Sequence, residues 1–307
     1  MQLSIIIINW NSDSQLHDCI ASLTKYHQNL ISNVIVVDNA STDNSLDQIN
    51  YLENLPFQLQ VVQNTSNRGF GAACNQGADL AKSEFILFLN PDTLLFKDSL
   101  AKPISFMQQA TNSNIGICGI RLVDKEGYAS TSAARFPTFR IIAGKTLGLT
   151  KLFPRLFPPH LMASSDLKES GLVDQVIGAF FLIRSTVFNQ CYGFDERFFV
   201  YFEEVDLSLR AKQLGYSSYF LSEVSAYHKG GGCSEQVKAA RLFYSLRSRI
   251  LYAKKHYTWL EYLALLALTA IELPLRLAQG TIRLSWLDIR NTSTAYIQLI
   301  TYFARSN

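Results

Sequence analysis

Four short, largely apolar runs recur within the first hundred positions, each stopped by polar or turn-forming residues, and they leave few folds open to the chain. They are Ser4-Ile5-Ile6-Ile7-Ile8 before Asn9-Trp10-Asn11, Val34-Ile35-Val36-Val37 before Asp38-Asn39, Leu59-Gln60-Val61-Val62, and Phe85-Ile86-Leu87-Phe88-Leu89 before Asn90-Pro91-Asp92. Runs this short, without helical periodicity, read as buried strands. Between them lie helical patterns. From about Ser14 to Tyr26, Leu16, Cys19, Ile20 and Leu23 recur at three- and four-residue steps. Ser41-Thr42-Asp43-Asn44-Ser45 caps a second helix, and Asn67-Arg68-Gly69-Phe70-Gly71 opens a third. Repeated β-α units with short connections predict an α/β fold, a doubly wound, mainly parallel sheet with right-handed crossovers.

Pro91 fixes its own φ and biases Asn90 toward extended geometry, so the fourth strand stops there and presents Asp92 at the carboxyl end of the sheet. Ligands of open α/β sheets bind at that end. Three strand or loop ends thus deliver acids: Asp38, Asp92 and the pair Glu203-Glu204. Each also has a plain reading. Asn90-Pro91-Asp92 makes a turn, Asp38 opens a turn and helix cap, and Glu203 and Glu204 complement a helix dipole. His228, before Lys229-Gly230-Gly231-Gly232, reads plainly as a loop histidine.

Beyond Asp98 the pattern changes. Ile115 to Leu122 suggests another strand, and Ala134 to Leu172, with Pro137, Pro154, Pro158 and Pro159, reads as a long irregular excursion on the substrate side. Val176 to Ile183 is expected as one buried strand, Glu203 to Leu214 as a helix ended by Gly215, and Tyr219-Phe220-Leu221 as a short strand. From Glu235 onward the chain reads as helical. The expected division is a first domain over 1–232, with halves at about 1–98 and about 99–232. A C-terminal helical region over 233–307 follows.

Several motifs in order carry a resemblance. They are Ile7-Ile8-Asn9-Trp10-Asn11, Val36-Val37-Asp38-Asn39-Ala40-Ser41-Thr42-Asp43, Asn67-Arg68-Gly69-Phe70-Gly71-Ala72-Ala73-Cys74-Asn75 and Leu89-Asn90-Pro91-Asp92. Gly178-Ala179-Phe180-Phe181-Leu182-Ile183-Arg184, the stretch from Gly193 to Leu207 containing Phe202-Glu203-Glu204-Val205-Asp206, and His228 complete the series. Over roughly 3–232 the chain resembles the inverting family-two glycosyltransferases of GT-A fold, especially their bacterial rhamnosyltransferase branch.

The resemblance implies that 1–232 is a catalytic domain, with a nucleotide-binding half at about 1–98 and an acceptor half at about 99–232, and it implies a role for each residue. Asp38 would accept hydrogen bonds from a nucleotide base or ribose, with Ile8 and Trp10 lining the base pocket. Asn67, Arg68, Gly69 and Asn75 would surround a helix N-terminus that holds a diphosphate, with Asn90 on the donor side as well. Asn90-Pro91-Asp92 takes the place of the family's Asp-x-Asp motif, so Asp92 would ligate Mg²⁺ or Mn²⁺, and His228 would add a ligand that suits Mn²⁺ better. The asparagine at 90 removes one negative charge that many relatives keep. Glu204 would be the base that takes the acceptor proton, with Glu203 positioning the acceptor and Asp206 bracing the helix start. Gly178, Ala179, Phe180 and Phe181 would approach the sugars, an aromatic face stacking on a pyranose, and Asp195 would be structural or contact the acceptor.

The same branch implies dTDP-L-rhamnose as donor and a saccharide, growing and lipid-linked, as acceptor in cell-surface polysaccharide synthesis. Alternatives are the same enzyme with a UDP-hexose or UDP-galactofuranose, or a catalytically silent nucleotide-sugar-binding subunit. A nucleotidyltransferase is a third, but it usually shows a Gly-rich basic loop where Asn9-Trp10-Asn11-Ser12 stands. A net charge of +3 with 17% charged residues is too weak a balance to argue for nucleic acid.

Five widely spaced cysteines, Cys19, Cys74, Cys118, Cys191 and Cys233, form no C-x-x-C pair and read as free thiols of a reducing compartment. The isoleucine run near the start reads as a strand, too short for a signal peptide. In the C-terminal third, the longest charge-free stretch of the Trp259–Leu277 region, Tyr262 to Ile271, has ten residues, about half of what a spanning helix needs. Flanking Lys238, Arg241, Arg247, Arg249, Lys254, Lys255, Arg276, Arg283 and Arg290, interleaved with aromatics, read as a helical region lying on an anionic membrane. The expected place is the cytoplasm, peripheral on the inner face of the cytoplasmic membrane. The plain alternative is a helical subdomain that packs on the catalytic domain or, as a homo-oligomer, on a second copy.

Overall fold

A computed structural model describes residues 2–26, 29–230 and 238–305. Cys233, Gly231 and Gly232 of the glycine run, the expected boundary at 232/233 and the expected helix start at Glu235 lie outside the described residues. In chain order the elements are β1 (Leu3–Asn9), α1 (Gln15–Tyr26), β2 (Ile31–Asp38), α2 (Ser45–Ile49), β3 (Gln58–Gln63), α3 (Phe70–Ala78), β4 (Phe85–Leu89) and β5 (Thr93–Leu95). Then come α4 (Ala101–Gln108), β6 (Ile115–Val123), β7 (Ala133–Ala134), α5 (Phe139–Thr146), α6 (Leu149–Leu152), β8 (Gly171–Val173), β9 (Gln175–Val176), β10 (Phe180–Arg184), α7 (Ser185–Gln190) and α8 (Glu203–Gln213). Last are β11 (Ser217–His228), α9 (Lys238–His256), α10 (Trp259–Ile282) and α11 (Trp286–Arg305).

These form two compact units, one of Met1–Phe136, Leu161–Glu196 and Glu203–Cys233, the other of Pro137–His160, Arg197–Phe202 and Ser234–Asn307. The first holds a sheet of order β3-β2-β1-β4-β10-β6-β11-β5, with β8 also on β11. Strands β3, β2, β1 and β4 run parallel, as their α-helical crossovers require, and β6 runs parallel to β11. Strand β10 is antiparallel to both neighbours.

Alternation along β1 shows why both faces must be covered. Leu3, Ile5 and Ile7 join one core cluster with Leu16, Cys19, Ile20 and Leu23 of α1, while Ile6 and Ile8 join a second with Ala73 and Cys74 of α3. A strand buried at every position needs cover on both of its faces. The four α1 residues at helical spacing are the ones that α1 buries.

Three expectations are corrected. The span 134–172 contains α5 and α6, where Thr138 caps α5 by accepting a hydrogen bond from Ile141 N. Val176–Ile183 is two strands, β9 and β10, with Gly178-Ala179 between them. The short strand at 219–221 is one quarter of the 12-residue β11, whose pairing with β6 shifts register between Leu221 and Ser225. That irregularity lets one long strand bend and pair at its end with β5, Thr93 opposite His228. His228 is therefore a strand end, not a loop residue.

The second unit packs α9, α10 and α11 with α5. Leu246 and Ile250 of α9 meet Tyr296 and Leu299 of α11, and Ile142 and Ala143 of α5 meet Ala253, Leu265 and Leu268. One cluster of its charges lies inside. Glu272 of α10 is buried and receives Arg249 of α9 at 2.7 Å on one oxygen and Arg276 at 2.6 Å on the other. Burial works to raise this carboxyl, but Arg249 and Arg276 outweigh it and hold the group below the ordinary range. No helix among the described residues is long and apolar enough to cross a membrane.

Candidate active site

The site of the first unit lies at the carboxyl ends of β2, β1 and β4, beside the start of antiparallel β10. Register places these ends in a row: Asn9 opposite Asp38, Ile7 opposite Leu89, and Leu89 opposite Phe180.

On the β2 side, Asp38 is buried and anchors a polar web. Its Oδ1 accepts from Asn9 Nδ2 at 2.7 Å and Ser41 Oγ at 2.5 Å, and its Oδ2 from Ser41 N at 3.1 Å. Asn9 also donates to Ser45 Oγ and accepts from Ser12 Oγ. Asn9 is thus the hub of this corner, and the sequence reading passed over it. A polar residue buried at the end of an isoleucine run was the available signal. Next to Asp38, Asn39 Nδ2 donates to Gly69 O at 3.1 Å, and Gly69 N donates to Asn67 Oδ1 at 2.9 Å. Gly69 has φ 88°, a conformation that favours glycine, and it caps α3. Asp38, Asn67 and Gly69 are therefore brought together, with exposed Arg68 between the last two.

Other expected donor residues sit elsewhere. Asn75 lies inside α3 and not at its N-terminus. It donates to Phe194 O and Glu196 Oε1 and accepts from Phe194 N at 2.8 Å. The side chain of Ile8 is buried in the α3-side core, and Trp10, just past β1, is half-buried.

On the β4 side, Asn90 N donates to Ala179 O at 3.1 Å and Thr93 N to Asn90 O at 3.2 Å, closing the turn that holds Asp92. Thr93 Oγ1 also reaches Ala179 O, at 3.4 Å. The β5–β11 pairing then brings His228 Nε2 to 3.3 Å from Asp92 Oδ1, and Lys229 N donates to Asp92 O. Among the described residues no group of three or more His, Cys, Asp or Glu side chains is placed to hold a metal. Among the described residues, Asp92 and His228 bring one carboxylate and one imidazole to this turn. That pair fits a hard divalent cation that takes its other ligands from a diphosphate and water, and it does not fit an all-protein cage.

Helix α8 begins at the two acids. Glu203 is buried and Glu204 half-buried, and among the described residues Oε2 of each is shielded from solvent and accepts no hydrogen bond. A Cβ added at Gly178 would lie 3.9 Å from Cγ and Cδ of Glu204, so the Gly178 main chain runs close beside this side chain. Burial pushes Glu203 well above the ordinary carboxyl range, with the charge of Glu204 adding to it. Burial raises Glu204 as well, against the pull of the backbone N–H groups at the helix start. Two close carboxyls share a charge poorly, so Glu203 keeps its proton longer and Glu204 ionises first.

This gives a pH dependence. The carboxyl of the unfolded chain loses its proton near the ordinary Glu value, about 4.3, and the folded Glu203 only above it. Between these values the native state binds the extra proton, so stability falls as pH rises through the window. Glu203→Gln is expected to raise Tm at pH 8 by about 2–4 °C per kcal/mol relieved, and the gain is expected to vanish near pH 4. Equal shifts at both pH values in thermal scans would contradict the buried, protonated carboxyl.

Around the acids, Asp206 is fully buried and receives Arg210 Nε at 2.7 Å, while the same guanidinium donates to Cys191 O and to Gly193 O at 2.9 Å. Asn75 from α3 and Arg210 from α8 thus fix the loop that carries half-buried Asp195. Gly193 in it has φ 69°, and a Cβ there would stand 2.6 Å from Asn75 Oδ1. Arg210 is a second residue the sequence reading missed. Phe180 and Phe181 correct another expectation, being 1% and 0% exposed with their rings in the two core clusters. Successive strand residues point to opposite faces, so neither ring presents a surface to a sugar. Cys19, Cys74, Cys118 and Cys191 are free and buried.

Comparison with known proteins fits this geometry. Residues 4–188 match the family model described as Glycosyl transferase family 2. The chain is 29% identical over 182 residues to a poly(ribitol-phosphate) beta-glucosyltransferase of Bacillus spizizenii, covering 54% of this chain and 28% of that protein. It is 24% identical over 270 residues to the N-acetylglucosaminyl-diphospho-decaprenol L-rhamnosyltransferase of Mycobacterium tuberculosis, covering 84% and 86%. A mannosyltransferase from Pyrobaculum calidifontis, solved with GDP-Man and Mn²⁺, superposes with a TM-score of 0.58 at 15% identity over 97% of this chain and 87% of that one.

Proposed function

The chain belongs to glycosyl transferase family 2, and from that premise we propose an inverting transferase that moves a sugar from a nucleoside diphosphate to a saccharide hydroxyl. The observation that carries this reading is the row of Asp38, Asp92 and Glu204 at adjacent strand and helix ends, with Glu204 Oε2 buried and unpartnered among the described residues. A scaffold subunit has no need of all three.

Asp38 already accepts three hydrogen bonds, and a carboxylate accepts about four, which leaves one for the nucleoside. Arg68, through its guanidinium, and the first-turn N–H groups of α3 bind the diphosphate, while Asn67 accepts from Gly69 N and shapes the loop that presents them. Asp92 and His228 would hold a divalent cation, which supplies charge neutralisation to the leaving diphosphate when bound. Mn²⁺ in the mannosyltransferase complex supports this choice of group. Glu204 accepts the proton of the acceptor hydroxyl while the hydroxyl oxygen bonds to the anomeric carbon. The bond from that carbon to the diphosphate breaks on the opposite face, and the diphosphate leaves with the electron pair. Glu203, protonated, donates to an acceptor oxygen and positions it, beside Gly178 and Ala179.

The donor we propose is dTDP-L-rhamnose, supported by the mycobacterial relative that covers most of both chains, with a lipid-linked saccharide as acceptor and a membrane surface as the place of work. A panel of nucleotide sugars in thermal-shift assays with Mn²⁺ or Mg²⁺ tests the reading. Stabilisation by dTDP-L-rhamnose above UDP-hexoses and UDP-galactofuranose is expected. A larger response to a UDP-sugar would replace the donor, and silence across the panel would favour a non-catalytic subunit.

A further inference from the structure

Helix α10 carries its polarity inside out. Between residues 262 and 282 its charged side chains, Glu272 and Arg276, are drawn into the buried pair with Arg249. The outward positions Leu263, Ala267, Ile271, Leu275, Ala278 and Ile282 follow one another at three- and four-residue steps and are exposed. This stripe runs the length of a 24-residue helix, about 36 Å at 1.5 Å per residue. Beyond it, Leu284 and Trp286 in the turn to α11 are 91% and 76% exposed, and Trp259 opens the helix at 69%. An apolar face of this length is unusual on a water-exposed surface.

The charge beside it identifies the occupant. At the same end of α10, a cavity of about 270 Å³ is lined by Lys238, Arg276 and Arg283 against one acid, Asp288. A second copy of the chain would cover the apolar stripe but brings no surplus of negative charge to this cavity. A bilayer surface with anionic headgroups satisfies both at once. Exposed tryptophans at the two ends of the stripe suit the level where acyl chains meet headgroups. The helix is too polar on its inner face to span, so it lies in the plane of the surface.

We infer that the outer face of α10 and the α10–α11 turn insert into the headgroup layer of an anionic phospholipid membrane, the Lys238, Arg276 and Arg283 cavity seating a lipid phosphate. This deepens the membrane-surface part of the proposed function and is independent of its transfer chemistry.

Flotation of the full chain tests it, with vesicles of phosphatidylcholine alone or mixed with phosphatidylglycerol. The protein is expected to float with the mixed vesicles. Ile282→Ser/Leu284→Ser/Trp286→Ser, at exposed positions, is expected to remain in the pellet fraction with an unchanged unfolding temperature. Lys238→Ala/Arg283→Ala is expected to weaken partitioning to the mixed vesicles about five-fold per cation removed, with no change on phosphatidylcholine. The proposal is overturned if the unmodified chain does not float. It is also overturned if the triple variant floats equally well, or if the chain is a dimer that this variant makes monomeric. Turnover of a nucleotide sugar with a water-soluble acceptor, measured alongside, reports on the transfer reading alone.

Discussion

Glu204→Gln is expected to lower kcat by about 10²–10⁴-fold, the range supplied by a positioned base, while donor affinity stays within a few-fold of the parent. The substitution keeps the shape of the side chain beside Gly178 and removes only its ability to take a proton. The environment makes the loss specific. Burial raises both carboxyls, but the backbone N–H groups at the helix start hold Glu204 back while the charge of Glu204 pushes Glu203 further up, so Glu204 is the member of the pair that ionises first and is ready to accept. The acidic limb of kcat/KM should accordingly lie above the ordinary carboxyl range, and Glu204→Gln should abolish that limb along with the activity. Single-turnover transfer with isothermal titration of the donor separates the two effects. If Glu203→Gln stops transfer and Glu204→Gln does not, the roles are exchanged.

Asp92→Asn should reduce kcat/KM by about three orders of magnitude, as expected when several kcal/mol of charge stabilisation is withdrawn at about 1.4 kcal/mol per decade. The turn itself should survive, because it is closed by the main chain of Asn90, Thr93 and Lys229. His228→Ala leaves the carboxylate in place and should cost less, with the preference for Mn²⁺ over Mg²⁺ diminished. With asparagine at position 90, this turn presents one acid, Asp92, where an Asp-x-Asp motif would present two. Activity that persists in Asp92→Asn and under exhaustive chelation would remove the metal from the proposal.

The parallel half of the sheet and the α1 face were legible because their signals are local: runs of β-branched residues, turn residues at their ends, and Leu16, Cys19, Ile20 and Leu23 at helical spacing. The long-range parts were less so. Nothing near Ser222 or Glu223 announces that β11 continues to His228, since that continuation depends on pairing with β6 and β5. Phe180 and Phe181 looked like sugar-stacking aromatics because sequence gives residue type and not facing. Asn9 and Arg210 act through partners 29 and 17–19 positions away, and such partners emerge only when the chain has folded. Asn75 was placed at a helix N-terminus by motif, whereas its hydrogen bonds run to the 194–196 loop.

The pairing of Thr93 with His228 also has a consequence for the order of events in synthesis. Asp92 gains its imidazole neighbour only when β11, the last strand to emerge, closes onto β6 and β5. Closing a loop of this length costs entropy that local contacts do not repay, so the pairing belongs to a slow, late step. A nascent chain that has completed β1 to β4 already holds the polar corner around Asp38, yet it lacks half of the cation station. Under the roles proposed for Asp38 and His228, nucleotide recognition and reaction competence are acquired at different times, and a chain stalled before His228 is expected to be a binder that does not turn over.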